Sequence, residues 1–195
     1  MIKTMCEDFS FILVRNRIIS EDDREVYIYG LELLVNSLLV VGTILTLGLL
    51  LNKILVTVTF LIVFCSIRSY AGGFHASQYW KCYCIGCLSY LSIITVVHST
   101  AIFDMYICSF IFSSISYIGI YSKAPLNSKK NPKTEKEMQR NSVITKVLIS
   151  IYTLITAIGI FAYPQGIELW FTIACTQLVV TIFLMITILQ RRYLR

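Results

Sequence analysis

Long apolar runs separated by short polar breaks set the pattern of this chain. Residues 1–26 mix the two types. Met5, Phe9, Ile12 and Ile19 fall at roughly helical spacing, with Lys3, Arg15 and Arg17 among them. That pattern suits a helix lying in a membrane interface, and equally a frayed polar leader. Tyr27 to Leu51 then forms an apolar run long enough to span a bilayer with tilt. Glu32 and Asn36 stand near its start. Asn52-Lys53 reads as a tight turn. Ile54–Ile67 is uncharged but only 14 residues long, short of the roughly 20 of a standard span. A polar stretch follows, Arg68–Lys81, and then a second short apolar segment, Tyr83–Val97. His98–Asp104 makes a turn. Met105–Tyr121 is the next span, with Ser109, Ser113 and Ser116 on one face. Small residues there permit close helix contact, within one chain or between two copies, so a homodimer is allowed. Val143–Tyr163 and Ile167–Leu189 are the last spans, joined by Pro164-Gln165-Gly166.

The breaks give an orientation. Residues 122–146 form a basic loop with Lys123, Lys129, Lys130, Lys133, Lys136, Arg140 and Lys146 against Glu135 and Glu137. The tail carries Arg191, Arg192 and Arg195. Basic loops stay on the cytoplasmic side. Counting hairpins back from them also places the N-terminus and the 68–82 stretch inside. The predicted fold is therefore all-α: a single polytopic membrane domain, 1–195, of about six membrane-embedded helices in a cell membrane. Two of them are short and flank the 68–82 stretch.

Composition supports this reading. Of 195 residues, 56% are hydrophobic and only 14% charged, and mean hydropathy is +0.73. A water-soluble core of this size has no need of so much apolar sequence. The net charge of +6 is distributed between apolar segments. It matches charge asymmetry across a lipid bilayer better than a nucleic-acid surface, and no basic helix or aromatic-basic module points to nucleic acid. The odd count of 7 cysteines, without paired spacing, argues against a disulfide framework.

Candidate chemistry concentrates in RSYAGGFHASQYWKCYCIGC, Arg68 to Cys87, which holds one of the 2 histidines. A thiol becomes a strong nucleophile as a thiolate, so Cys82 needs a proton acceptor, and imidazole titrates in the right range. His75 and Cys82 are seven residues apart. On one straight helix they would be about 10.5 Å apart along the axis. Direct contact therefore requires a break, for which Gly72-Gly73 supplies backbone freedom. The spacing predicts His75 on a loop or broken helix and Cys82 at the start of the next helix, where a helix N-terminus favours negative charge. Ser77 and Gln78 are candidates to orient the pair. Glu32 either reaches the interface or supports structure or catalysis. Arg68 either anchors the loop at lipid headgroups or contributes to an oxyanion site, as could backbone amides near Cys82.

The run Arg68-x-x-x-Gly72-Gly73-x-His75-Ala76, with Cys82 seven residues after the histidine, resembles the accessory gene regulator B (AgrB) family. Tyr29-Gly30-Leu31-Glu32, Ala124-Pro125 and Asn131-Pro132 are similar to further stretches of that family. The resemblance implies a membrane-embedded cysteine endopeptidase of Gram-positive quorum sensing, needing no cofactor, with His75 and Cys82 as its catalytic pair. It also implies a partner, a short AgrD-type precursor peptide with an amphipathic leader and an acidic C-terminal part. Arg68, Gly72 and Gly73 match as motif residues.

Two other readings compete. His75, Cys82, Cys84 and Cys87 are four possible zinc ligands, but Cys-x-Cys-x-x-Cys is not the paired spacing of a zinc ribbon, and the cysteines point apart on a helix. No metal site is expected. A non-enzymatic peptide transporter would also suit six spans, but would not require a His–Cys pair.

Overall fold

The computed structural model describes residues 2–72, 79–127 and 134–193. Among them there are seven α-helices and no strand: α1 (Ile2–Arg15), α2 (Arg24–Leu50), α3 (Ile54–Ala71), α4 (Tyr79–Ser99), α5 (Ile102–Lys123), α6 (Glu135–Ala162) and α7 (Ile167–Tyr193). A short 3₁₀ turn, Pro164–Gly166, leads into α7. The six helices α2 to α7 are each long and apolar enough to cross a membrane.

Local chemistry sets the helix ends. α2 stops where Asn52 takes a left-handed conformation (φ 53°), which asparagine tolerates. Lys53 N–H then donates to Gly48 O at 2.9 Å and Asn52 N–H to Leu49 O at 3.1 Å, a Schellman closure. The turn expected at Asn52-Lys53 is this motif. α6 opens on a reciprocal capping box, with Thr134 Oγ1 accepting from Glu137 N–H while Thr134 N–H donates to the Glu137 carboxylate.

The helices on either side of the central stretch run past their uncharged segments. α3 has 18 residues and α4 has 21. Arginine and lysine are good helix formers, and here each cation also rests on an aromatic ring. Arg68 lies over Phe64 and Phe183, at 6.0 and 5.3 Å from the ring centroids, and Lys81 lies 5.8 Å from Trp80. At about 1.5 Å per residue, α3 is roughly 27 Å long, close to a hydrocarbon core.

α7 packs against α3, α4, α5 and α6. Small residues let it approach. A Cβ added at Gly119 of α5 would lie 2.7 Å from Thr181 of α7, and one at Gly159 of α6 would lie 2.5 Å from Trp170. The serine face of α5 is spent here: Ser109, Ser113 and Ser116 are buried inside the chain. α2, α3 and α4 form the other part of the molecule. Thr57 and Tyr90 share a buried hydrogen bond of 2.7 Å between α3 and α4, and Thr43 and Tyr83 share one of 3.0 Å between α2 and α4. Large apolar side chains such as Leu38, Leu50, Phe103 and Phe161 face outward, as lipid-facing residues do.

α1 lies against α2. Cys6 and Ser10 are buried on its inner face, and Arg24 Nε donates to Ser10 Oγ at 3.3 Å. Met5, Phe9 and Ile12 line the opposite face and are exposed, whereas Ile19 is buried beyond the helix end. α1 is thus two-sided, with one face packed on α2 and an apolar outer face.

Candidate active site

Cys82 is the fourth residue of α4, half-buried, at the edge of a cleft between α2, α3 and α4. The cleft has a volume of about 140 Å³. Each helix lines it with one face. α2 contributes Asn36, Ser37, Val40, Val41 and Ile44, α3 contributes Leu61, Phe64, Cys65 and Arg68, and α4 contributes Cys82, Ile85 and Gly86. α2 and α3 are an antiparallel hairpin, and α4 runs back alongside α3. The polar residues Asn36, Ser37, Arg68 and Cys82 thus share one end of the cleft. Ile44 and Leu61 lie about two turns deeper.

Arg68 belongs to the last turn of α3. Its guanidinium turns inward onto Phe64 and Phe183, and it is near enough to Cys82 for their charges to interact. Gly72 caps α3 with φ 67° and ψ −146°, a backbone region open essentially to glycine alone. Beside it, Leu126 N–H donates to Ala71 O at 3.0 Å, and Arg191 Nη2 donates to Asn127 O. The first residues of the basic loop are therefore tied to the end of α3 and to the end of α7.

Of the residues singled out from the sequence, Arg68 and Cys82 meet at this cleft, and Gly72 ends the helix leading to it. Gly73, His75, Ser77 and Gln78 lie outside the described residues. Glu32 is buried one turn before Asn36, and its carboxylate faces α1, not the cleft. Burial pushes the Cys6 thiol above its ordinary value, and the Glu32 carboxylate adds to the shift. Cys84 and Cys87 sit within α4, where Cys87 packs against the apolar core. Sequence reasoning gave no role to Asn36, Phe183 or Leu126. Asn36 carried a signal, since a polar residue inside a span is costly without a purpose. Phe183 and Leu126 are ordinary apolar residues, and nothing in the sequence marks them.

These features define a multi-pass helical membrane protein with a half-buried cysteine and an arginine at the polar end of a cleft between its apolar helices. The sequence pattern of the Accessory gene regulator B family matches residues 6–190, and the chain belongs to that family. It is 29% identical over 149 residues to an AgrB-like protein of Clostridium perfringens (strain SM101 / Type A), covering 72% of this chain and 68% of that one. It is 27% identical over 146 residues to AgrB-like protein 2 of Clostridium perfringens (strain 13 / Type A), with the same coverage. No solved structure matches. Family membership ties the chain to peptide processing in agr quorum sensing and to an AgrD-type partner.

Proposed function

We propose that the chain is a cysteine endopeptidase that removes the C-terminal part of an AgrD-type precursor and promotes closure of the remaining peptide into a thiolactone or lactone. The observation that carries the reading is Cys82 in the first turn of α4, beside Arg68, at the polar end of a cleft walled by apolar helices. His75 takes the Cys82 proton, and the sulfur attacks a peptide carbonyl. Arg68 and backbone amides at the α4 start oppose the charge that develops on oxygen. His75 then gives the proton to the departing amine. The acyl group stays on Cys82 as a thioester until a cysteine or serine of the same peptide displaces it.

Two demands follow. Water must be kept from the thioester, and an apolar cleft between membrane helices suits that. The internal nucleophile must be held close, where effective molarities reach about 10⁵ M or more. Converting an amide to a thioester is uphill, so removal of the cleaved fragment drives the reaction forward. The site and both termini are assigned to the cytoplasmic side because the basic loop and tail mark that face.

In liposomes containing the purified chain and a synthetic precursor, the C-terminal fragment and a cyclic product are expected to appear. A chain whose cysteines have been alkylated beforehand should release neither, and undiminished release would sink the reading. The basic loop gives a second expectation. Its first residues are tied to the end of α3, and its positive charge would attract the acidic end of the precursor. Raising ionic strength from about 0.05 to 0.5 M shortens the screening length from above 10 Å to under 5 Å and should weaken precursor binding several-fold. A salt-insensitive affinity would leave the loop as an orientation signal only.

A further inference from the structure

We infer that the cleft beside Cys82 is a side-chain pocket for one large apolar residue of the peptide, the residue whose carbonyl carbon Cys82 attacks. The inference rests on the reading of Cys82 as the nucleophile and adds what that nucleophile selects.

The cleft is graded in polarity. Asn36, Ser37, Arg68 and Cys82 stand at one end of it. Ile85 and Gly86 are one turn below Cys82 on the same face of α4, about 5 Å along the axis. Val40 and Val41 continue the wall on α2, and Ile44 and Leu61 close the deep end. A peptide bond held at the sulfur would place its carbonyl oxygen near the Arg68 cation. The adjoining side chain would point down into apolar surroundings. The arrangement is complementary to a peptide at both ends, whereas a lipid tail would use only the lower one.

Size narrows the occupant. An apolar cavity of about 150 Å³ holds a benzene ring, and pockets for whole drug-sized ligands run from about 300 Å³ upward. At about 140 Å³ the cleft takes one leucine- or phenylalanine-sized group, and not a helix. Gly86 lets α2 and α4 approach closely along this wall, since a Cβ there would stand 3.1 Å from Val40 Cγ1.

The test uses reagents that need no knowledge of the natural precursor. The purified chain in phosphatidylglycerol vesicles is treated with N-acetyl chloromethyl ketones of glycine, alanine, leucine and phenylalanine. Each alkylates a thiolate as the carbon–chlorine bond breaks and chloride leaves. The rate at Cys82 is read by peptide mass spectrometry and normalised to iodoacetamide, which carries no side chain. The leucine and phenylalanine reagents are expected to label Cys82 at least about 10-fold faster than the glycine reagent. Val41→Phe should fill the pocket and abolish that preference, read as the ratio of each reagent's rate to the iodoacetamide rate of the same variant. Leu61→Ala should deepen it and admit a naphthylalanine reagent that the parent excludes. Equal rates for all reagents would overturn the pocket, as would a preference that survives Val41→Phe. The surviving preference is the result expected if the reagents only partition into lipid or the cleft holds lipid. A Cys82 that resists iodoacetamide as well would overturn the nucleophile itself, which separates the two failures.

Discussion

Cys82→Ser is expected to lower release of the C-terminal fragment from a co-expressed precursor by at least about 10³-fold, because removing a member of a nucleophile–base unit removes most of its catalysis. The substitution is close to isosteric, and Cys82 is half-buried at the start of α4, so the helix and the cleft should persist. What changes is chemical. A hydroxyl holds its proton far more tightly than a thiol, and imidazole cannot ionise it to a useful extent without further help. His75→Ala should cause a loss of the same order. Quantifying fragment by mass spectrometry, against membrane levels of the chain, checks both. A carrier without peptidase chemistry would keep moving intact peptide in the Cys82→Ser chain, and that outcome would favour the transporter reading.

Gly72→Ala should cost about 1–3 kcal/mol of stability and on the order of 10²-fold in processing. Its positive φ disfavours any side chain, and a Cβ would run into the Leu126 carbonyl oxygen. Leu126 must then retreat and release its hydrogen bond to Ala71, loosening the tie that continues through Asn127 to Arg191 of α7. Gly72 directly precedes the segment carrying His75, so displacement there misplaces the base relative to Cys82. Gly30→Ala is the matched control, since nothing lies within 4 Å of a Cβ at that position. Thermal unfolding in detergent and fragment release should both fall for Gly72→Ala and stay near parental values for Gly30→Ala. Parental processing in the Gly72→Ala chain would remove this glycine from the site's support.

The sequence showed the membrane helices plainly because their signal is additive over about 20 residues, and a bilayer leaves the backbone few alternatives. It understated α3 and α4, because a charge in a hydropathy pattern reads as a break. Arg68 and Lys81 are accommodated by rings, and for Arg68 one of those rings, Phe183, is 115 positions away along the chain. The placement of Cys82 on the first turn of a helix followed from its seven-residue separation from His75, which requires a break between them for contact. The cleft did not. It depends on Asn36, Val41, Leu61 and Gly86 meeting across three helices, and no local pattern announces such a meeting. The role of Glu32 stayed open in the sequence for the same reason. A carboxylate in a span suggests function, but the packing of α1 on α2 decides that it faces Cys6.

The most direct measurement is the mass of Cys82 during turnover. When the chain is co-expressed with an AgrD-type precursor and quenched in acid, the tryptic peptide containing Cys82 should carry the truncated precursor as a thioester. Neutral hydroxylamine should release that adduct, and it should be missing from the Cys82→Ser chain. Accumulation of cleaved fragment with Cys82 unmodified throughout, or an adduct on another cysteine, would contradict the account.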